Sequence, residues 1–98
     1  MILTGKQKSY LRGLAQTIKP MFQIGKEGLT PEVMTEIINY ITKNELGKIS
    51  VLDTCPETKA EIASKIEASN IHLVQIIGNN LVIFKRNHKK EDGIKLPR

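Results

Sequence analysis

Gln23-Ile24-Gly25-Lys26-Glu27-Gly28-Leu29-Thr30-Pro31 sets the frame of this chain. A short apolar run, Met21-Phe22-Gln23-Ile24, reads as a strand. Two glycines three residues apart then form a loop with little side chain. Thr30 caps a following helix, and Pro31 occupies its first position, where a missing N–H is harmless. Such a strand–turn–helix unit lets backbone approach an outside group. It also places amides near a helix start, where anions are favoured. The structural alternative is an ordinary strand-to-helix turn.

Upstream, Thr4 is an N-cap and residues 5–18 read as a first helix, ended by Pro20. Tyr10, Leu11, Leu14, Ala15 and Ile18 recur at helical spacing as its buried stripe. Lys8, Arg12 and Lys19 fall within about 40° of one another on a separate face, a basic ridge to which Lys6 can contribute. Downstream, Val33, Met34, Ile37, Ile38 and Ile41 form the apolar face of a second helix that frays near Lys43-Asn44. Leu46-Gly47 turns the chain, Lys48–Asp53 alternates as a strand, and Pro56 opens a third helix. Residues 71–77 and 81–86 are strands joined by the hairpin turn Gly78-Asn79-Asn80. The order is α-β-α-β-α-β-β. It predicts an α/β two-layer sandwich: a four-stranded mixed sheet with all helices on one face. On the other, open face, Leu52, Val74, Ile76 and Val82 are expected to be semi-exposed. Residues 1–86 form one domain, and 87–98 read as a basic, flexible tail.

The 98 residues suit a single core, and the net charge of +5 is unevenly placed. Residues 1–28 carry five bases against one acid, 29–68 four against seven, and 69–98 six against two. Such polarity points to a polyanion partner, although charge for solubility gives the same composition. Lys85, Arg86, Lys89 and Lys90 fit either role. Cys55 is the sole cysteine, which excludes an internal disulfide, and with His72 and His88 it lacks metal-ligand spacing. Cys55 before Pro56 has no base placed beside it, Gly25-Lys26 is not a phosphate-binding Walker loop, and no catalytic constellation appears. No cofactor is implied. No apolar run is long enough to cross a bilayer and no signal peptide is evident, so a cytoplasmic, monomeric, non-enzymatic protein is expected.

A wider set of motifs now joins the glycine loop. Leu3-Thr4-Gly5-Lys6-Gln7-Lys8-Ser9-Tyr10-Leu11-Arg12-Gly13-Leu14-Ala15, Ile18-Lys19-Pro20, Ile24–Thr30, Leu73–Gly78 and Leu81–Phe84 together resemble the YhbY family, the free-standing form of the CRM RNA-binding domain. The resemblance covers residues 2–86. It implies a fold related to the C-terminal domain of bacterial translation initiation factor three and a KH-like GxxG loop that meets RNA. It further implies association with precursors of the large ribosomal subunit; plant organelle relatives act in intron splicing. On this reading Gly25, Lys26 and Gly28, with Lys6, Lys8, Arg12 and Lys19, contact rRNA backbone. Glu27 makes the loop less basic, though amides can still meet phosphate. Tyr10 and Phe22 are the nearest aromatics, and core packing is their expected role over base stacking. The competing function is a protein-interaction adaptor that docks through the open sheet face or the acidic third helix.

Overall fold

The computed structural model describes residues 3–86 and Ile94. The elements are α1 (Gly5–Ala15), β1 (Phe22–Ile24), α2 (Pro31–Asn44), β2 (Leu46–Val51), α3 (Lys59–Ala68), β3 (His72–Ile77) and β4 (Asn80–Phe84). The four strands form one mixed sheet in the order β1-β2-β4-β3, with β1 parallel to β2 and the other neighbours antiparallel. This is the expected α/β fold and element order. Each helix starts at a threonine whose hydroxyl accepts an amide of the first turn: Thr4 from Gln7, Thr30 from Val33 and Thr58 from Glu61.

The helices are not all on one face. Along β4, Leu81 and Ile83 join a core with Ile37 and Ile41 of α2 and Ile62 and Ile66 of α3. Val82 and Phe84 point the other way, into a second core with Leu3, Leu11 and Ala15. So α1 covers the opposite face of the sheet from α2 and α3. The alternation of a strand makes this unavoidable: a run that is apolar at every residue needs a cover on both sides. Val74 and Val82, expected to be semi-exposed, are therefore buried under α1, whereas Leu52 and Ile76 do remain about 40% exposed.

Three boundaries also differ from the expectation. α1 ends at Ala15, because Thr17 turns its hydroxyl onto the Leu14 carbonyl at 3.0 Å and the last amides bond three residues back. Lys19 thus lies beyond the helix. α3 begins after Thr58, so Cys55-Pro56 belongs to a connection and not to a helix start. At the end of α2, one residue, Glu45, turns the chain into β2 with φ 68°.

Glu45 is fully buried. Its N–H donates to the Ile41 carbonyl at 2.9 Å and its own carbonyl accepts the Lys85 N–H at 2.8 Å. Its carboxylate accepts the Ile94 N–H at 2.8 Å and pairs with Arg86 at 3.3 Å. Arg86 also donates to the Ile94 carbonyl at 2.6 Å and lies over the Phe84 ring, 5.6 Å from its centroid. Ile94 packs with Leu14 and Ile18 against the α1 core. The tail expected to be flexible, 87–98, otherwise lies outside the described residues. Loss of the Glu45 carboxylate removes an acceptor from the Ile94 N–H and from Arg86, which is partly exposed and keeps the Ile94 carbonyl, at a cost of about 1–3 kcal/mol. Glu45→Ala should lower stability in urea unfolding by about that amount. Glu45→Gly should be milder by roughly 1 kcal/mol, since glycine accepts the positive φ.

Candidate nucleic-acid interface

Residues 25–28 leave the sheet at the C-terminal end of β1. They form a four-residue turn closed by the Gly28 N–H on the Gly25 carbonyl at 2.9 Å. Neither Lys26 nor Glu27 has positive φ, whereas Gly28 has φ 73°; that is a type I turn with glycine following it. Lys26 and Glu27, at the tip, are exposed, but Gly28 is buried and Gly25 half-buried.

The space around both glycines is filled from within. A Cβ on Gly25 would lie 3.3 Å from Leu52 Cδ1 and 3.5 Å from Thr54 Oγ1. One on Gly28 would lie 2.7 Å from Glu57 Oε1. All three neighbours belong to the connection between β2 and α3. Close backbone approach was expected to serve an outside partner; here it serves this connection.

Glu57 also holds the anion seat at the start of α2. The Leu29 N–H, one residue before the Thr30 cap, donates to Glu57 Oε1 at 2.7 Å. The second carboxylate oxygen pairs with Lys65 of α3. The Lys65 and Leu29 hydrogen bonds pull the Glu57 pKa below its ordinary 4.5. The favourable charge at this helix N-terminus is therefore supplied by the chain itself.

Lys8 of α1 lies far from this turn. Lys8 lines a cavity of about 470 Å³ with Leu3, Glu67, Asn70, Ile71, His72 and Leu73, at the N-terminal end of β3. β1 and β3 are opposite edges of the sheet, and the His72 row is that of Leu46, five residues before Val51, the partner of Ile24. Lys8 and the turn thus stand at diagonal corners, on the order of 20 Å apart. Arg12 shares the Lys8 flank of α1; Lys6 and Tyr10 fall roughly 160° from Lys8, on the other flank. Tyr10 is 42% exposed and outside both cores, contrary to the expected buried stripe. Phe22 does pack as expected, edge-on to Tyr40 at 5.8 Å.

Lys48 escaped the sequence reading. It pairs with Val82 in register and so shares the α1 face of the sheet, with Gln23 and Ser50 beside it. The alternation Lys48-Ile49-Ser50-Val51 was the available signal. At the far corner, burial and then nearby positive charge, Lys8 included, lower the His72 pKa below 6.5.

The CRS1/YhbY (CRM) domain model matches residues 3–85. The chain belongs to the CRM domain family. "Probable RNA-binding protein YqeI" of Bacillus subtilis is 40% identical over 97 residues, spanning 98% of this chain and 100% of that protein. A Haemophilus influenzae protein named "RNA-binding protein" is 38% identical, over 98% of this chain and 96% of its own. The solution structure of a hypothetical protein from Staphylococcus aureus superposes with a TM-score of 0.79 at 43% identity, covering 98% of this chain and 100% of that one. No described helix of this CRM chain is long and apolar enough to cross a membrane.

Three measurements check this geometry. Gly28→Ala should destabilise the CRM domain by about 1–2 kcal/mol, because an alanine there is strained in φ as well as crowded. Gly13→Ala, in a helix with open space around the new methyl, should stabilise it by about 0.5–1 kcal/mol in thermal or urea unfolding. Because folding lowers the Glu57 pKa, its contribution is complete above 4.5 and is lost as pH falls through the lower folded value. The Leu29 amide resonance should therefore titrate with a midpoint below 4.5 in wild-type protein, and Glu57→Gln should abolish that titration.

Proposed function

We propose that this CRM chain is a non-enzymatic RNA-binding protein of the cytoplasm. It acts as a monomer, joining precursors of the large ribosomal subunit and assisting their assembly. The observation that carries the reading is the full-length correspondence with relatives that bear RNA-binding names. The geometry supports it: exposed bases stand on α1, which packs on the sheet, and a turn pushes Lys26 outward at its tip. Contacts of this kind hold phosphate and fix register without reading sequence.

In this reading Lys26 meets one phosphate as a mobile point charge. Lys8 and Arg12 meet others about 20 Å away, so the target is a folded RNA broad enough to reach both corners. Lys6 and the half-buried Lys48 supply charge on the α1 face, and Lys19 adds charge from the connection after α1. Gly25 and Gly28 act by shaping the turn.

The test is co-sedimentation of the Lys8→Ala, Arg12→Ala, Lys26→Ala triple variant with ribosomal particles in a sucrose gradient. The folded variant should leave the large-subunit precursor fractions. Its binding to transcribed large-subunit rRNA should show a log–log salt slope shallower by roughly 2, at about 0.7–0.9 per lost phosphate contact. Undiminished co-sedimentation, or salt-insensitive binding by the wild-type protein, refutes the proposal. The latter would favour an adaptor docking through an apolar face.

A further inference from the structure

We infer that the RNA-contacting unit is a platform of two loops, the Gly25–Gly28 turn and the Leu52–Glu57 connection, and that Glu57 is the positioning residue that fastens them and presents Lys26 to phosphate. This rests on the RNA reading above and assigns to it residues that the glycine motif does not contain.

Three contacts join the loops. Leu52 and Thr54 fill the space beside Gly25. Pro56 and Glu57 fill the space beside Gly28. The Glu57 carboxylate receives the Leu29 amide and is itself tied to Lys65 on α3. Further bonds anchor the connection: the Leu52 N–H donates to the Ile24 carbonyl at 2.8 Å, and the Cys55 N–H to the Leu52 carbonyl at 3.0 Å. The turn is thus held on its sheet side by β2 and on its helix side by Glu57. Only its tip is exposed.

Two consequences follow for RNA. The Leu29 amide is already occupied by a carboxylate, so the tip, and not this amide, meets phosphate. And the exposed side of the platform carries Leu52, 40% accessible, and the exposed Thr54 directly beside Gly25. An apolar side chain and a hydroxyl next to a lysine suit a ribose–phosphate backbone: the hydroxyl and the ammonium donate to phosphate oxygens, and the leucine covers the sugar. Without Glu57 the turn loses its helix-side anchor, and Lys26 loses the pre-ordering that makes its contact favourable.

The experiment is a double-mutant cycle with full-length protein and fluorescein-labelled large-subunit rRNA transcript. It compares wild type, Lys26→Ala, Glu57→Ala, the double variant and Glu57→Gln. Leu29 amide hydrogen exchange is recorded for each. Lys26→Ala and Glu57→Ala should each weaken binding roughly fivefold and lower the salt slope by about 0.7–0.9, and the double variant should be no weaker than either single one. Glu57→Ala should speed exchange at Leu29. Glu57→Gln, which keeps an acceptor for that amide, should bind within about twofold of wild type. If the single losses multiply in the double variant, or if Glu57→Ala frees the Leu29 amide while binding holds or tightens, the coupling is refuted and Glu57 is structural alone. If Lys26→Ala is itself silent, the RNA role of the turn fails, a different result from the loss of the coupling.

Discussion

The structure depends on one constraint, the burial of β4 on both faces. Leu81 and Ile83 complete the core under α2 and α3, while Val82 and Phe84 complete the core under α1. β4 also pairs with β2 on one side and β3 on the other. All its neighbours, above, below and lateral, are therefore chain. A polar residue at any of these four positions would bury an unpartnered group in one core or the other. With the sheet sealed over β4, the surface left for a ligand includes its corners and its β1 and β3 edges.

That corner geometry explains how a turn with two glycines can lack an open backbone. Glycine marks a place where something comes close, but not what comes close. At Gly25 it is Leu52 and Thr54; at Gly28 it is Glu57. The turn is a rigid pedestal as a result, and Lys26 and Glu27 are its accessible part. The carboxylate of Glu27, which looked out of place in an anion-binding loop, is less so when the anion seat behind it already belongs to Glu57.

What could be read from the sequence follows from the range of each interaction. Caps act within four residues, so Thr4 and Thr30 gave their helix starts directly, as did the helical spacing of Ile37 and Ile41. The placement of α1 needed long-range information. A hint was there: Leu81-Val82-Ile83-Phe84 is apolar at every position, which a strand covered on one side has no use for. Lys19 falls on the basic ridge only if helical angles continue past Ala15, where Thr17 bonds back to the Leu14 carbonyl and ends them. Pro56 competes with Thr58 as a signal for the start of α3, and Thr58 prevails because Glu61 completes a capping box with it. Glu57 was invisible because its partner, Leu29, is 28 residues away and contributes only an amide. A backbone donor leaves no mark in the composition.

Glu45 has a consequence for how the chain is made. Its carboxylate is held by Arg86 and by the amide of Ile94, residues 41 and 49 places further along. On a ribosome that emits the chain from its N-terminus, α1, α2 and the first two strands emerge well before either partner. Until then Glu45 lacks these two of its contacts. The full set of bonds around the bend therefore joins α2 to residues more than 40 places away. Contacts so distant in sequence are of the kind that slow folding and bind it into one cooperative unit.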